Sequence, residues 1–299
     1  MVKINKAAVC VMSLTLLMMS VGTTLEAKEE KEPVEQVKEG NFLLPLSQQP
    51  SPLFSLGQNV VDKGDFMAFL ALLPLFGPKK HSIGAVPYLL YGISDSCSIG
   101  LGIPFSFIKD DGNRSSGLGD IFAQIEYAFY EKQAVRSTYQ ATVLTALYVP
   151  TGSTKTGRPV LGSGATSFLF GGTLSYYAPD WLWFLSAGGN LETKGRKLRA
   201  GSSFLYQGGF GKNITTRNGW IFTWMIELDG IYTTRDQCHS VTVRNSGSNL
   251  LYLTPSFWAS SERFVAQAGI SLLPVQHLFG CQTRNEIGAL ISLGWKFNA

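Results

Sequence analysis

The stretch WIFTWMIELDGIY (220–232) decides the fold. Its even positions, Trp220, Phe222, Trp224, Ile226, Leu228, Gly230 and Tyr232, are almost all large and apolar, while the odd positions include Thr223, Glu227 and Asp229. Successive side chains of a strand point to opposite faces, so this alternation separates a greasy face from a polar one. In a sandwich the aromatic face would meet a core. In a membrane barrel it meets lipid, and the acids face the lumen.

The same alternation recurs along the chain. DIFAQIEYAFY (120–130) sets Ile121, Ala123, Ile125, Tyr127 and Phe129 against Asp120, Gln124 and Glu126. RFVAQAGISLL (263–273) opposes its apolar set with Arg263, Gln267 and Ser271, and EIGALISLGWKF (286–297) with Glu286, Ser292 and Lys296. About twelve runs are predicted, near 65–75, 82–93, 97–108, 118–130, 137–149, 165–177, 181–192, 202–213, 219–232, 250–259, 263–273 and 286–297. The first three are the least regular, with Pro87 and Pro104 inside runs and poor alternation in the first. The connectors alternate in length. SDS (94–96), PD (179–180) and SSE (260–262) are tight, with EKQAVRS (131–137) and NITTRNG (213–219) grouped beside them. Long loops are expected at 109–117, 150–164, 193–201, 233–249 and 274–285. Short turns at one end and long loops at the other are the habit of outer-membrane barrels. The predicted fold is therefore all-β, an antiparallel up-and-down transmembrane barrel of about twelve strands.

Composition agrees. Charged residues are only 15% and glycines number 32 of 299, above the usual ~7%. No later segment reaches the length of a membrane helix; FMAFLALLPLF (66–76) is too short and contains Pro74. The N-terminus has Lys3 and Lys6, then an apolar stretch, then small residues near Ala27. That pattern reads as a secretory signal peptide over 1–27, with an uncleaved anchor helix as the alternative. Residues 28–63 open with KEEKEPVEQVKEG and are expected to form a flexible acidic periplasmic segment. The barrel is assigned to 64–299, in the outer membrane of a Gram-negative bacterium.

The loop PTGSTKTGRPVLGSG (150–164) imitates a phosphate cradle, with four residues between Gly152 and Gly157. Such a cradle needs Lys and Ser/Thr after the second glycine. This chain has Arg158-Pro159 there; LTALYV (144–149) before it reads as a strand ending in an aromatic belt residue, Tyr148, and a strand rather than a helix is expected to follow.

Two short motifs carry a resemblance: Gly117-Leu118-Gly119-Asp120 at the start of one strand, and Pro150-Thr151-Gly152 at the end of the next. A GLGD strand followed by a strand ending in PTG resembles the outer-membrane barrels of the MetA-pathway of phenol degradation family, over residues 64–299. The resemblance implies an outer-membrane barrel linked to uptake of small aromatic or hydrophobic compounds. Many such barrels end on an aromatic residue, whereas this chain ends Phe297-Asn298-Ala299.

The expected lumen-lining set is Asp120, Gln124, Glu126, Glu192, Glu227, Asp229, Arg263, Gln267 and Lys296. Acids outnumber bases in it, and rings of side-chain charge set pore selectivity, so cations would be favoured in transit. An open or gated path and a lumen plugged by paired charges both fit. The long loops are basic, with Lys109, Arg114, Arg158, Lys194, Arg196, Lys197 and Arg199 among them. Three readings fit that rim: contact with lipopolysaccharide phosphates, attraction of anionic solutes, or simple solvation. Nucleic acid is not an expected partner of an exported barrel, despite KGRKLR (194–199). Cys238 and Cys281 lie in neighbouring long loops, where an oxidising exterior allows a disulfide, while Cys97 lies at the opposite end.

No enzyme is predicted. His81, His239 and His277 all fall in expected loops and give no triad. No metal-ligand spacing occurs, and no cofactor is expected. The expected function is passage of small solutes, with a non-transporting surface barrel for adhesion, partner binding or envelope structure as the alternative.

Overall fold

The computed structural model describes residues 35–57, 60–77, 80–110, 112–154, 159–195, 198–238, 241–282, 284 and 287–297. The expected signal peptide lies outside them. Twelve wall strands form one antiparallel barrel: β1 (Phe66–Phe76), β2 (Lys80–Ser94), β3 (Cys97–Gly102, continued by Phe105–Asp110), β4 (Asn113–Leu118, continued by Ile121–Ala134), β5 (Ser137–Val149), β6 (Ser167–Tyr177), β7 (Trp181–Glu192), β8 (Ser203–Arg217), β9 (Trp220–Thr233), β10 (Ser248–Ser260), β11 (Phe264–Leu278) and β12 (Ile287–Phe297). Each pairs with its sequence neighbour. β1 also pairs with β12, Phe66 opposite Phe297, which closes the ring. Closure is what lets strands cross lipid, because every backbone group then has an internal partner.

The predicted alternation holds on β9. Trp224, Ile226 and Leu228 are 37%, 41% and 48% exposed on the outer face, whereas Thr223, Glu227 and Asp229 are 0% exposed on the inner one. β1 alternates poorly for a physical reason: its inner positions, Met67 among them, are also apolar because they pack on a core inside the barrel. The prolines interrupt without breaking the wall. β3 pauses at Ile103-Pro104, where Ile103 N–H donates to Pro87 O at 3.0 Å and Gly119 N–H to Pro104 O at 2.7 Å.

Several connectors are shorter than expected. The stretch 109–117 is not a long loop: β3 and β4 run on as a hairpin with Lys109 opposite Arg114. The stretch 213–219 is mostly strand, turned at Asn218-Gly219 with φ of 53° and 77°. Positive φ at both central residues is the hairpin turn that matches strand twist, and Asn-Gly supplies it at little cost. Within the long outer loops Leu198–Arg199, Gln237–Cys238 and Val241–Thr242 form a small sheet of their own.

The largest correction concerns 28–63. From Gln36 onward this is not a flexible segment outside the barrel but a strap packed inside it. Phe42 and Val61 belong to the same buried cluster as Met67, Leu90, Leu182, Phe184, Met225, Trp258 and Val265. The charged start of the segment hid the apolar NFLLPL that follows at 41–46. Burying that stretch offsets the entropy of ordering it.

Candidate functional site

The site is the lumen and the strap that occupies it. The strap enters at the end with the short turns, the periplasmic end of such a barrel. There Val37 N–H donates to Val135 O at 3.2 Å, Glu39 pairs with Arg136 at 2.6 Å, and Gln36 bonds Thr138. Asn41 is fully buried, donating to Pro179 O at 2.7 Å from its backbone and to Ala178 O at 2.9 Å from Nδ2. Further along the strap, Ser260 Oγ donates to Gln48 O at 2.8 Å, and Gln267 Nε2 to Ser51 O at 3.2 Å.

The strap's apex meets the two acids of β9. Glu227 Oε1 accepts the Leu53 N–H at 2.7 Å, and Oε2 accepts the N–H groups of Phe54 and Ser55, each at 3.1 Å. Ser55 Oγ donates to Asp229 Oδ1 at 2.5 Å, which also accepts Gln207 Nε2 at 3.0 Å. Leu56 N–H donates to Gln207 Oε1, and Leu56 O accepts from Thr173 and Ser186. The Leu56 side chain sits over Gly171 and Gly188, where an added Cβ would come within 2.6 and 2.7 Å of it. The strap then returns to the periplasmic end. Val61 N–H donates to Ser98 Oγ at 2.7 Å, and Lys296 pairs with Asp62 at 2.8 Å and Asp65 at 2.7 Å.

The opposite part of the lumen is aromatic. Phe69, Tyr88, Gly102, Phe122 and Tyr148 lie in one register row across β1 to β5, all on the inner face. Ring centroids are 6.4 Å apart for Phe69–Tyr88, 5.7 Å for Tyr88–Phe122 and 5.0 Å for Phe122–Tyr148. Strands tilt in a barrel, so a register row climbs. This one runs from near the periplasmic end of β1 to near the outer end of β5. Gly294 and Gly102 supply the floor: an added Cβ would fall 2.5 Å from the Phe69 ring and 2.2 Å from the Phe122 ring. Tyr148, read from the sequence as a strand-end belt residue, faces inward instead; its neighbours Leu147 and Val149 are the exposed ones, at 40% and 45%.

At the outer end the two motifs of the resemblance meet. Thr151 Oγ1 donates to Gly119 O at 2.8 Å and accepts the Ile121 N–H at 3.0 Å. Asp120 accepts the N–H groups of Gly152 at 2.9 Å and Ser163 at 2.6 Å, with Ser163 Oγ at 2.9 Å. GLGD and PTG thus form one clamp at the root of the 150–166 loop.

The expected lumen residues are used differently from a ring of charge. Glu227, Asp229, Gln267 and Lys296 hold the strap; Asp120 holds a loop. Glu192 accepts Asn190 Nδ2 at 2.8 Å near the outer end of β7. Glu126 is buried on the inner wall at 1% exposure, and Gln124 lies two residues away on the same face. Arg263 is a correction: it sits exposed in the turn before β11, because the strand starts at Phe264. Of the outer bases, Lys194 and Arg199 are exposed, with Arg199 Nε donating to Glu192 O at 3.3 Å. Arg158, Arg196 and Lys197 lie outside the described residues. The bridge between Cys238 and Cys281 is not formed: Cys238 is in the small loop sheet, while Cys281 is an exposed free thiol anchored through its N–H to Asn245 Oδ1 at 3.0 Å. The residues missed from sequence are the short polar ones that meet the strap, Ser98, Gln207 and Ser260; their signal was polarity at inner positions without charge.

A closed antiparallel barrel with an apolar outer face and a strap in its lumen is an outer-membrane protein. The chain belongs to the family described as "Putative MetA-pathway of phenol degradation", whose model matches residues 51–249. Its structure is similar to that of the COG4313 outer membrane channel from Pseudomonas putida F1, with TM-score 0.68 at 12% identity, covering 83% of this chain and 99% of that one. The NanC porin aligns more loosely, with TM-score 0.47 at 11% identity over 77% of this chain and all of that one. No curated protein matches the sequence.

Proposed function

We propose that the protein is a gated outer-membrane channel for small hydrophobic or aromatic solutes, with the strap as its plug. The observation that carries this reading is the climbing row Phe69–Tyr88–Phe122–Tyr148 on the inner wall. Aromatic faces in series offer apolar solutes successive contacts of similar strength, so a solute can step along them without being trapped. Of the acids expected to select cations, Glu227 and Asp229 are engaged by the strap and Asp120 by loop donors, so the rings weigh more in solute preference. On the outer face the partners are outer-membrane lipid and lipopolysaccharide.

A second reading, a surface barrel that transports nothing, is favoured by the apolar cluster around Phe42 and Val61, which fills the periplasmic part of the lumen. One measurement separates them. Full-length protein and a variant lacking residues 36–62 are reconstituted, and planar-bilayer conductance and liposome uptake of an aromatic solute are recorded. The channel reading expects small or brief conductance from the full chain and a large steady one from the deletion, with faster uptake. A deletion variant that folds as a barrel yet neither conducts nor takes up solute would leave the non-transporting reading.

A further inference from the structure

We propose that the outer wall of the β2–β3–β4 tip is a binding site for the phosphorylated head of an outer-leaflet glycolipid, with Lys109 and Arg114 as the phosphate ligands and His81 beside them. Register puts these three side by side: His81 lies opposite Lys109, and Lys109 opposite Arg114. They share the strand face of Ile83 and Phe107, which are 51% and 59% exposed to lipid, so the bases also point away from the lumen. Phe76 continues the row, its ring 6.2 Å from that of His81. The three bases line a shallow hollow with Phe76, Ile83 and Phe107.

The vertical order is what a glycolipid requires. The row nearer the membrane centre is Ile83–Phe107–Ser116, and the next is Ala85–Phe105–Leu118. The surface therefore changes from apolar to basic within one step of the pleat, roughly 7 Å along the strand. Acyl chains would lie on the lower rows, with the phosphate at the boundary where Arg can bind it through two parallel N–H bonds. Among the described residues, no acid shares the basic row. The twist of the sheet does not produce such a row elsewhere by necessity: the outward residues near the same ends of β7, β8 and β9 are Leu191, Phe204 and Tyr232.

This site rests on the outer-leaflet contact proposed above and not on transport through the lumen. Its test uses the full-length barrel in detergent, titrated with rough lipopolysaccharide, with the same lipid after phosphatase treatment, and with inorganic phosphate. Complexes are counted by native mass spectrometry. Each base near an anionic lipid surface contributes about 1 kcal/mol, so Lys109→Gln with Arg114→Gln should weaken lipopolysaccharide binding roughly tenfold or more. Phosphatase treatment should weaken binding to the unmodified barrel by a similar factor. Equal binding of the treated and untreated lipid, or an unaltered affinity in the double variant, would overturn the proposal. So would full competition by inorganic phosphate, which would mark a free-anion site. Conductance of the double variant should equal that of the parent, and a silent channel in both would count against the transport reading while leaving the lipid result readable.

Discussion

The backbone N–H of Leu53 donates to Oε1 of Glu227 at 2.7 Å, across 174 residues of sequence. The other oxygen takes Phe54 and Ser55. A buried carboxylate is costly without donors. Here the strap supplies them, so the acid and the strap apex each satisfy what the other would leave unpaired.

Replacing Glu227 with Ala removes that acceptor and strands three backbone donors. Hydrogen bonds to a charged group are each worth about 1.5–3 kcal/mol. A net loss of about 2 kcal/mol would shift the ratio of seated to released strap roughly thirtyfold. Single-channel recording should show a higher open probability for Glu227→Ala and a smaller change for Glu227→Gln, which keeps one acceptor oxygen. Identical records for parent and both variants would mean the apex is held by other contacts.

Gly92 is where the strap's return leg presses on the wall. An added Cβ would stand 2.1 Å from Asp62 O and 2.5 Å from Val61 O, both backbone atoms that cannot swing aside. The paired bonds Gly64 N–H to Gly92 O at 2.9 Å and Gly92 N–H to Asp65 O at 3.1 Å would be disturbed. Gly92→Ala should expose Lys63 to faster tryptic cleavage while the barrel keeps its heat-modifiable mobility on gels.

Truncating rings in the aromatic row tests the solute path. Aromatic pairs contribute about 0.5–1.5 kcal/mol beyond area burial. Tyr88→Ala with Phe122→Ala should slow uptake of an aromatic solute into liposomes by roughly two- to tenfold, with little effect on a small sugar. Equal slowing of both solutes would point to a collapsed lumen instead.

The Asp120 clamp should act locally. Asp120→Ala removes the acceptor of the Gly152 and Ser163 amides. Hydrogen exchange should quicken at those two amides and along 150–166, while the amides of β5 below keep their protection. Loss of protection throughout β5 would show that the clamp supports the wall and not only the loop.

The wall was legible in the sequence because lipid leaves one face of each strand a single option. The pattern of Trp224, Ile226 and Leu228 against Glu227 and Asp229 could be read without any tertiary knowledge, and so could twelve strands and their order. The inner face was harder. A polar side chain facing inward can line water, pair with a neighbour or hold another segment, and Glu227 looks the same in all three cases. The strap was hidden by its own entrance, since KEEKEP and the following acids suggest solvation while Phe42 and Leu53 lie beyond. Tyr148 was misplaced because a Tyr near a strand end suits a lipid interface or a lumen equally well. Its phase against Leu147 and Val149 was the usable clue.

Both legs of the strap leave by the same end of the barrel, at Arg136 for Glu39 and at Lys296 for Asp62. Topologically it is a bight pushed into a sleeve and not a rope threaded through one. If it acts as the plug proposed above, it can be drawn out and pushed back with no wall strand unzipping. On that reading, whatever handles it would stand beneath the membrane, out of reach of anything arriving from the medium.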